Sequence, residues 1–187
     1  MVKIGEQAPD FIAKAYHEDK ILNFKLSDLK GKWVILFFYP GDFTFVCPTE
    51  LGELSKEYLG LKKKGTELLG ISTDSVYVHK AWHDTSDTIK KVEFPLVSDQ
   101  NGNIAKLYGT YLEDQGVSLR GTFLIDPKGV IKSIEIHHNT LGRNIQETLR
   151  KLDAAQYIQK NGEQACPANW KPGERTLKPG LELVGKL

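Results

Sequence analysis

The chain has 187 residues, of which 25 are Lys or Arg and 24 are Asp or Glu, for a formal net charge of +1. That length suits one domain with a sizeable core, and so even a charge balance excludes a surface built to draw nucleic acid or anionic membrane. No apolar run reaches the roughly 18 residues that mark a spanning helix, and the N-terminal MVKIGEQAPDF lacks a signal peptide's apolar core, so a soluble, cytoplasmic protein is expected.

From the N-terminus, Phe11 to Tyr16 and Ile21 to Leu26 read as short strands around the polar HEDK, a hairpin-like pair. Ser27 to Lys32 reads as a turn, or one helical turn, ahead of WVILFFY, Trp33 to Tyr39, whose unbroken apolar run predicts a central strand buried on both faces. Next comes PGDFTFVCPTE, Pro40 to Glu50, leading into a helical period with Leu51, Leu54, Tyr58 and Leu61 on one face. Glu53, Lys56, Glu57 and Lys62 occupy the other face. Lys62 to Lys64 fit a last helical turn, which Gly65 then stops. Glu67 to Ser72 is the next strand, and Thr73-Asp74-Ser75 offers an N-cap for a helix over Val76 to Thr85. Phe94 to Val97 is a short strand, Ser98 to Gly102 a turn, and Ile104 to Tyr108 a short helical piece.

Arg120 to Ile125 and Val130 to Ile136 flank DPKG, a hairpin signal, and alternation in the second strand predicts the lesser burial. Asn139 or Thr140 is the expected cap of a long helix reaching about Lys160, with Ile145, Leu149, Leu152 and Tyr157 inward. From Asn161 onward the chain is rich in Gly and Pro without helical period. That predicts an extended C-terminal arm, 161–187, after a domain of residues 1–160. This order of elements predicts an α/β fold whose mixed central sheet is covered on both faces.

Chemistry centres on two cysteines, Cys47 and Cys166, which form neither a C-x-x-C nor a zinc spacing. Nothing marks the chain for secretion, which argues against a stapling disulfide. Cys47 falls where the buried strand hands over to a helix, at or near the N-cap, with Pro48 at the first helical position and Glu50 in the first turn. Unpaired N–H groups and the helix dipole favour a thiolate there. A protease-type nucleophile would need a histidine base poised by a third group. A thioredoxin-type exchanger would carry its partner cysteine two residues on, where Pro48-Thr49-Glu50 follow instead. His79 and His83 are four apart but lack the Glu of H-E-x-x-H and a third ligand, so they read as ordinary surface or core histidines and no metal is expected.

Peroxide reduction fits better. A thiolate attacking an O–O bond needs no base, only donors that orient the peroxide and stabilise the departing oxygen. Thr44 can supply a hydroxyl, Arg120 a guanidinium, and Pro40 can shape the loop and shield the sulfur from water.

Pro40, Thr44 and Cys47 match the P-x-x-x-T-x-x-C signature of peroxiredoxins, and Arg120 in SLRGTFLID matches their distal arginine. The resemblance runs from APDF (Ala8 to Phe11) to ACPANW (Ala165 to Trp170). With its late second cysteine, the chain resembles the typical 2-Cys class, in particular the bacterial alkyl hydroperoxide reductase catalytic subunits. The resemblance implies a thioredoxin-like fold with an N-terminal hairpin extension and a C-terminal arm. It implies that Cys47 is the peroxidatic nucleophile and becomes a sulfenic acid. Thr44 and Arg120 would bind peroxide under the cover of Pro40, while Glu50 and Arg143 orient the active-site arginine. Without the resemblance, Arg143 reads as a charge in the first turn of a helix, where the dipole disfavours it. Cys166 would be the resolving cysteine, pairing with Cys47 of a second subunit in a head-to-tail homodimer that assembles further into a ring of five dimers. The implied reductant is a dedicated flavin-dependent disulfide reductase fed by NADH, or thioredoxin. No G-x-G-x-x-G follows a strand here, so no cofactor is expected in this chain.

A disulfide needs its Cα atoms within about 7 Å, so the helix turn at Cys47 is expected to unwind, roughly from Thr44 to Leu51, during turnover. Overoxidation-prone relatives hold that turn with a Gly-Gly-Leu-Gly insertion and a Tyr-Phe pair in a C-terminal helix. This chain has neither, its tail reading LELVGKL, so easy unwinding and resistance to sulfinic-acid formation are expected. Two alternatives are a redox sensor or relay, favoured by slow reaction with peroxide, and a holdase chaperone, favoured by client protection that survives loss of the Cys47 thiol.

Overall fold

In the computed structural model, which describes residues 2–186, β1 (Ile12–His17) and β2 (Lys20–Lys25) pair as an antiparallel hairpin, with Ile12 opposite Lys25. Glu18 and Asp19 turn the chain at φ of 49° and 57°, the left-handed pair that a tight two-residue connection requires. A 3₁₀ turn (Leu26–Leu29) leads to β3 (Trp33–Phe38), buried along its whole length as its apolar run predicts. Helix α1 (Cys47–Lys63) buries Leu51, Leu54, Tyr58 and Leu61, and Lys62 and Lys63 complement its C-terminal dipole. After β4 (Thr66–Ser72), Ser75 caps α2 (Val76–Thr85) by accepting the Val78 N–H on its hydroxyl. Next come β5 (Leu96–Ser98), α3 (Asn103–Tyr108) and two short strands, β6 (Tyr111–Leu112) and β7 (Val117–Ser118). Strands β8 (Arg120–Ile125) and β9 (Ile131–His137) and helix α4 (Ile145–Lys160) follow.

Seven strands make one mixed sheet in the order β2-β1-β5-β4-β3-β8-β9. Strand β3 runs parallel to β4 and antiparallel to β8, so the exit of β3 and the entry of β8 lie at the same end of the sheet. Phe37 stands opposite Thr122, which brings Arg120 level with Tyr39, where the chain leaves the sheet for α1. The register therefore carries a guanidinium to the end of the sheet from which Cys47 departs. Leu36 and Phe38, Leu69 and Ile71, and Phe123 and Ile125 contribute to a core with Tyr108 of α3. As its alternation predicts, β9 is less buried than β8.

The chain comprises two compact units, one ending at Arg143 and one beginning at Asn144. The first holds both sheets and α1 to α3; the second holds α4 and the C-terminal arm.

Several elements depart from expectation. Neither Asn139 nor Thr140 caps α4: the cap is Asn144, whose side chain accepts the Glu147 N–H. Residues 139–143 stay a loop, in which the Asn139 carbonyl accepts from Arg120 and the Arg143 N–H donates to Glu50. With the helix starting at Ile145, the buried positions are Ile145, Thr148 and Leu152, and Leu149 and Tyr157 are only partly buried. Strand β5 begins two residues after Phe94, past Pro95, which has no N–H to give a ladder. The β6–β7 hairpin was not expected, since two-residue strands are too short to show alternation. The arm is not simply extended: Ala165 and Leu177 form a bridge, and Leu181–Leu183 makes a 3₁₀ turn.

Candidate active site

Cys47 opens α1 and is buried, with Val46 as N-cap and Pro48 second in the helix, one place from its expected position. Helical spacing turns Glu50, in the same first turn, toward the cysteine's side of the helix. Its Oε2 accepts Arg120 Nη1 at 2.8 Å, and the same nitrogen lies 3.4 Å from Cys47 Sγ. The Arg120 fork is fixed from behind: Nε and Nη2 both donate to the Asn139 carbonyl, at 3.0 and 2.7 Å.

Arg143 completes the cluster. Its backbone N–H and Nε donate to Glu50 Oε1 at 2.8 and 2.9 Å, and Nη2 donates to Oε2 at 2.8 Å. Nη1 reaches Gly121 O at 3.0 Å and Thr122 Oγ1 at 3.1 Å, and the guanidinium stacks 3.2 Å from the centroid of Phe37. Arg143 therefore precedes the Asn144 cap and lies outside the first turn of the helix. Burial pushes the Glu50 carboxyl up, but the Arg143 hydrogen bonds and the charges of Arg143 and Arg120 outweigh it and hold it below its ordinary value. Two buried guanidiniums against one carboxylate leave an excess positive charge, which an anionic sulfur at Cys47 complements. A sulfur so placed is suited to nucleophilic attack, with an N–H donor beside it for negative charge on a departing atom.

A family model described as the AhpC/TSA family matches residues 4–134. The chain belongs to that family. The C-terminal domain of 1-Cys peroxiredoxin matches residues 154–184. Alkyl hydroperoxide reductase C of Pseudomonas aeruginosa (strain UCBPP-PA14) is 43% identical over 187 residues, covering 100% of both chains. Among solved structures, the reduced Plasmodium vivax 2-Cys peroxiredoxin superposes with a TM-score of 0.93 at 38% identity, covering 97% of this chain and 96% of that one. Enterococcus faecalis AhpC superposes with a TM-score of 0.86 at 42% identity, covering 89% of this chain and 100% of that one. The thioredoxin-like fold expected of a peroxiredoxin is present, and as a member of this family the chain is a thiol-dependent peroxidase.

For this peroxiredoxin the structure gathers Cys47, Glu50, Arg120 and Arg143 into one hydrogen-bonded cluster. Thr44 and Pro40 lie in the loop before α1. The Thr44 hydroxyl donates to Gly41 O at 2.9 Å, which leaves its lone pairs to accept from a substrate O–H. Phe43 in the same loop holds a left-handed φ of 56°, a strained conformation for an aromatic residue. Cys166 belongs to the second unit, partly buried, its thiol free and facing Ala154 O at 4.0 Å. Burial pushes that thiol up, and Arg150 opposes the shift.

Sequence reasoning missed the group that anchors the loop. Asp42 is buried, accepting from Tyr39 OH at 2.8 Å, and its Oδ2 lies 2.7 Å from His79 Nδ1; its N–H donates to Asp74 Oδ2 at 2.8 Å. Burial pushes the Asp42 carboxyl up, against the hydrogen bond and charge of His79. His79 is thus a core histidine, as expected, but one that grips the loop ahead of Cys47. No local signal announces a pair 37 residues apart. Replacing His79 with Leu leaves that carboxylate oxygen unpartnered and is expected to cost about 1–3 kcal/mol. Thermal unfolding should show a Tm lower by roughly 5 °C; an unchanged Tm would mean the pair holds nothing.

Proposed function

We propose that this thiol peroxidase reduces hydrogen peroxide and organic hydroperoxides at Cys47, and the observation that carries the reading is the Arg120 N–H aimed at Cys47 Sγ from a guanidinium held on its other side by Asn139. The Cys47 sulfur attacks one peroxide oxygen, the O–O bond breaks, and the departing oxygen leaves with a proton as water or alcohol. Cys47 is left as a sulfenic acid. Arg120 and Thr44 bind the peroxide, Pro40 covers the sulfur, and Glu50 and Arg143 keep Arg120 in place. A donor aimed at a buried sulfur has no purpose in a passive scaffold.

Cys166, carried by the arm 161–187, then attacks the sulfenic sulfur of a second subunit, forming the disulfide and releasing water. Cys47 is buried at the start of α1, so the turn from Thr44 to Leu51 opens first. The disulfide is reopened by a dithiol protein, either a flavin-dependent disulfide reductase or thioredoxin, in the cytoplasm. No helix among the described residues is long and apolar enough to cross a membrane. The subunits pair head to tail and the dimers assemble into a ring of five; exposed apolar rings at Phe43 (57%), Phe45 (92%) and Tyr77 (71%) are surface that contacts between copies would cover.

One equivalent of hydrogen peroxide added to the reduced protein should give, on non-reducing electrophoresis, a dimer band whose crosslinked peptide joins Cys47 to Cys166. The Cys166→Ser variant should consume one peroxide and remain monomeric on the gel. Absence of peroxide consumption would sink the peroxidase mechanism, and an oxidised monomer would break the pairing between subunits. Sedimentation of the reduced protein tests the ring, and turnover with each reductant in turn separates the two.

A further inference from the structure

Cys166 is held beside a small closed loop. Ala165 and Leu177 exchange backbone hydrogen bonds in both directions, at 2.7 and 2.9 Å, closing the chain one residue away from the thiol. Side chains reinforce the closure: Thr176 Oγ1 donates to Gln164 Oε1 at 2.9 Å and lies 3.4 Å from the Tyr157 hydroxyl of α4. Within the loop, Trp170 is 2% exposed, its ring 5.1 Å from that of Tyr157, and its Nε1–H donates to Glu174 O at 3.0 Å. The Cys166 thiol faces Ala154 O on the same helix. On a chain pinned at its base, a thiol turned toward that helix is stored and not yet placed to attack.

We infer that Gln164, Thr176 and Tyr157 form a latch whose opening sets the rate at which Cys166 reaches the Cys47 sulfenic acid. The inference rests on Cys166 being the resolving cysteine. In that step Cys166 loses its S–H proton and its sulfur bonds to the Cys47 sulfur. The S–O bond of the sulfenic acid breaks, and the leaving hydroxide takes the proton as water. The peroxide that oxidised Cys47 supplies the oxidising equivalents, so no other reactant enters. The latch residues touch no substrate and act only through the position of Cys166.

Thr176→Val keeps the shape of the side chain and removes both hydroxyl contacts; Gln164→Ala removes the acceptor. Each should speed disulfide formation after one equivalent of hydrogen peroxide by roughly three- to tenfold, the range expected for one net hydrogen bond. The second-order rate of peroxide with Cys47 should stay at the wild-type value. Hydrogen exchange at the Ala165 and Leu177 amides should accelerate in parallel, a readout that a role in peroxide chemistry would not move. Wild-type or slower disulfide formation in both variants, with exchange accelerated, would overturn the latch and leave the resolving assignment standing. A Cys166→Ser variant that still formed the dimer disulfide at the wild-type rate would remove the resolving assignment and the latch with it.

Discussion

Arg120→Gln should lower the second-order rate of Cys47 with hydrogen peroxide by about 10²–10³-fold, the loss typical when one preorganised donor is removed from a developing negative charge. In free-energy terms that is roughly 2.7–4 kcal/mol. The size follows from the setting. Nη1 lies 3.4 Å from the sulfur in a buried site, so water does not screen it. The Asn139 carbonyl holds Nε and Nη2, and Glu50 holds Nη1, so little reorganisation accompanies the reaction. Glutamine keeps a planar head but is shorter and uncharged. Arg120→Lys restores the charge without the fork, so it should recover only a small part of the rate. Stopped-flow mixing with peroxide in excess gives the constant directly. A value within threefold of wild type would take Arg120 out of the peroxide chemistry.

Glu50→Gln should be the most destabilising single change at the site, by about 3–5 kcal/mol, because it strips the one carboxylate from between two buried guanidiniums. At this chain length that corresponds to a Tm lower by roughly 10 °C. The pH dependence identifies the cause. The Glu50 carboxyl sits below its ordinary value in the folded protein, net of the opposing effect of burial, so its protonation is harder folded than unfolded. Its contribution is therefore complete above the unfolded value, about pH 4.3, and is lost as pH falls through the lower folded value. Urea melts at pH 7 and about pH 3 should show the gap between wild type and variant narrowing in acid. An equal gap at both would mean that Glu50 acts by shape and not by charge. The peroxide rate of the variant should fall as well, since Arg120 loses one of its anchors.

Both effects belong to one feature of the fold. The antiparallel placement of β8 beside β3 brings Arg120 to the end of the sheet where α1 begins, and the loop after β9 returns Arg143 to the same point. The helix terminus that sequence reasoning credited with activating Cys47 is present, but Val46 gives it no side-chain cap and the guanidinium is the polar group that meets the sulfur.

What the sequence by itself determined is whatever a short window encodes. The apolar run of β3, the Leu51-Leu54-Tyr58-Leu61 face of α1, the Ser75 cap and the hairpin around DPKG all lie where periodicity and turn chemistry place them. Cys47 and Arg120 could be singled out as candidates, because a cysteine at a strand-to-helix junction and an arginine at a strand start are local statements. Glu50 and Arg143 were legible only through the family motif, and the start of α4 was misplaced by five residues or so because an Asn and a Thr precede the real cap. Tertiary structure alone decided the partners: Arg120 with Cys47 across 73 positions, Arg143 with Glu50 across 93, and His79 with Asp42 across 37. The reason is geometric. Which side chains meet depends on strand register, where a slip of one residue would turn Arg120 to the opposite face, and no local period records the register between strands so far apart in the chain.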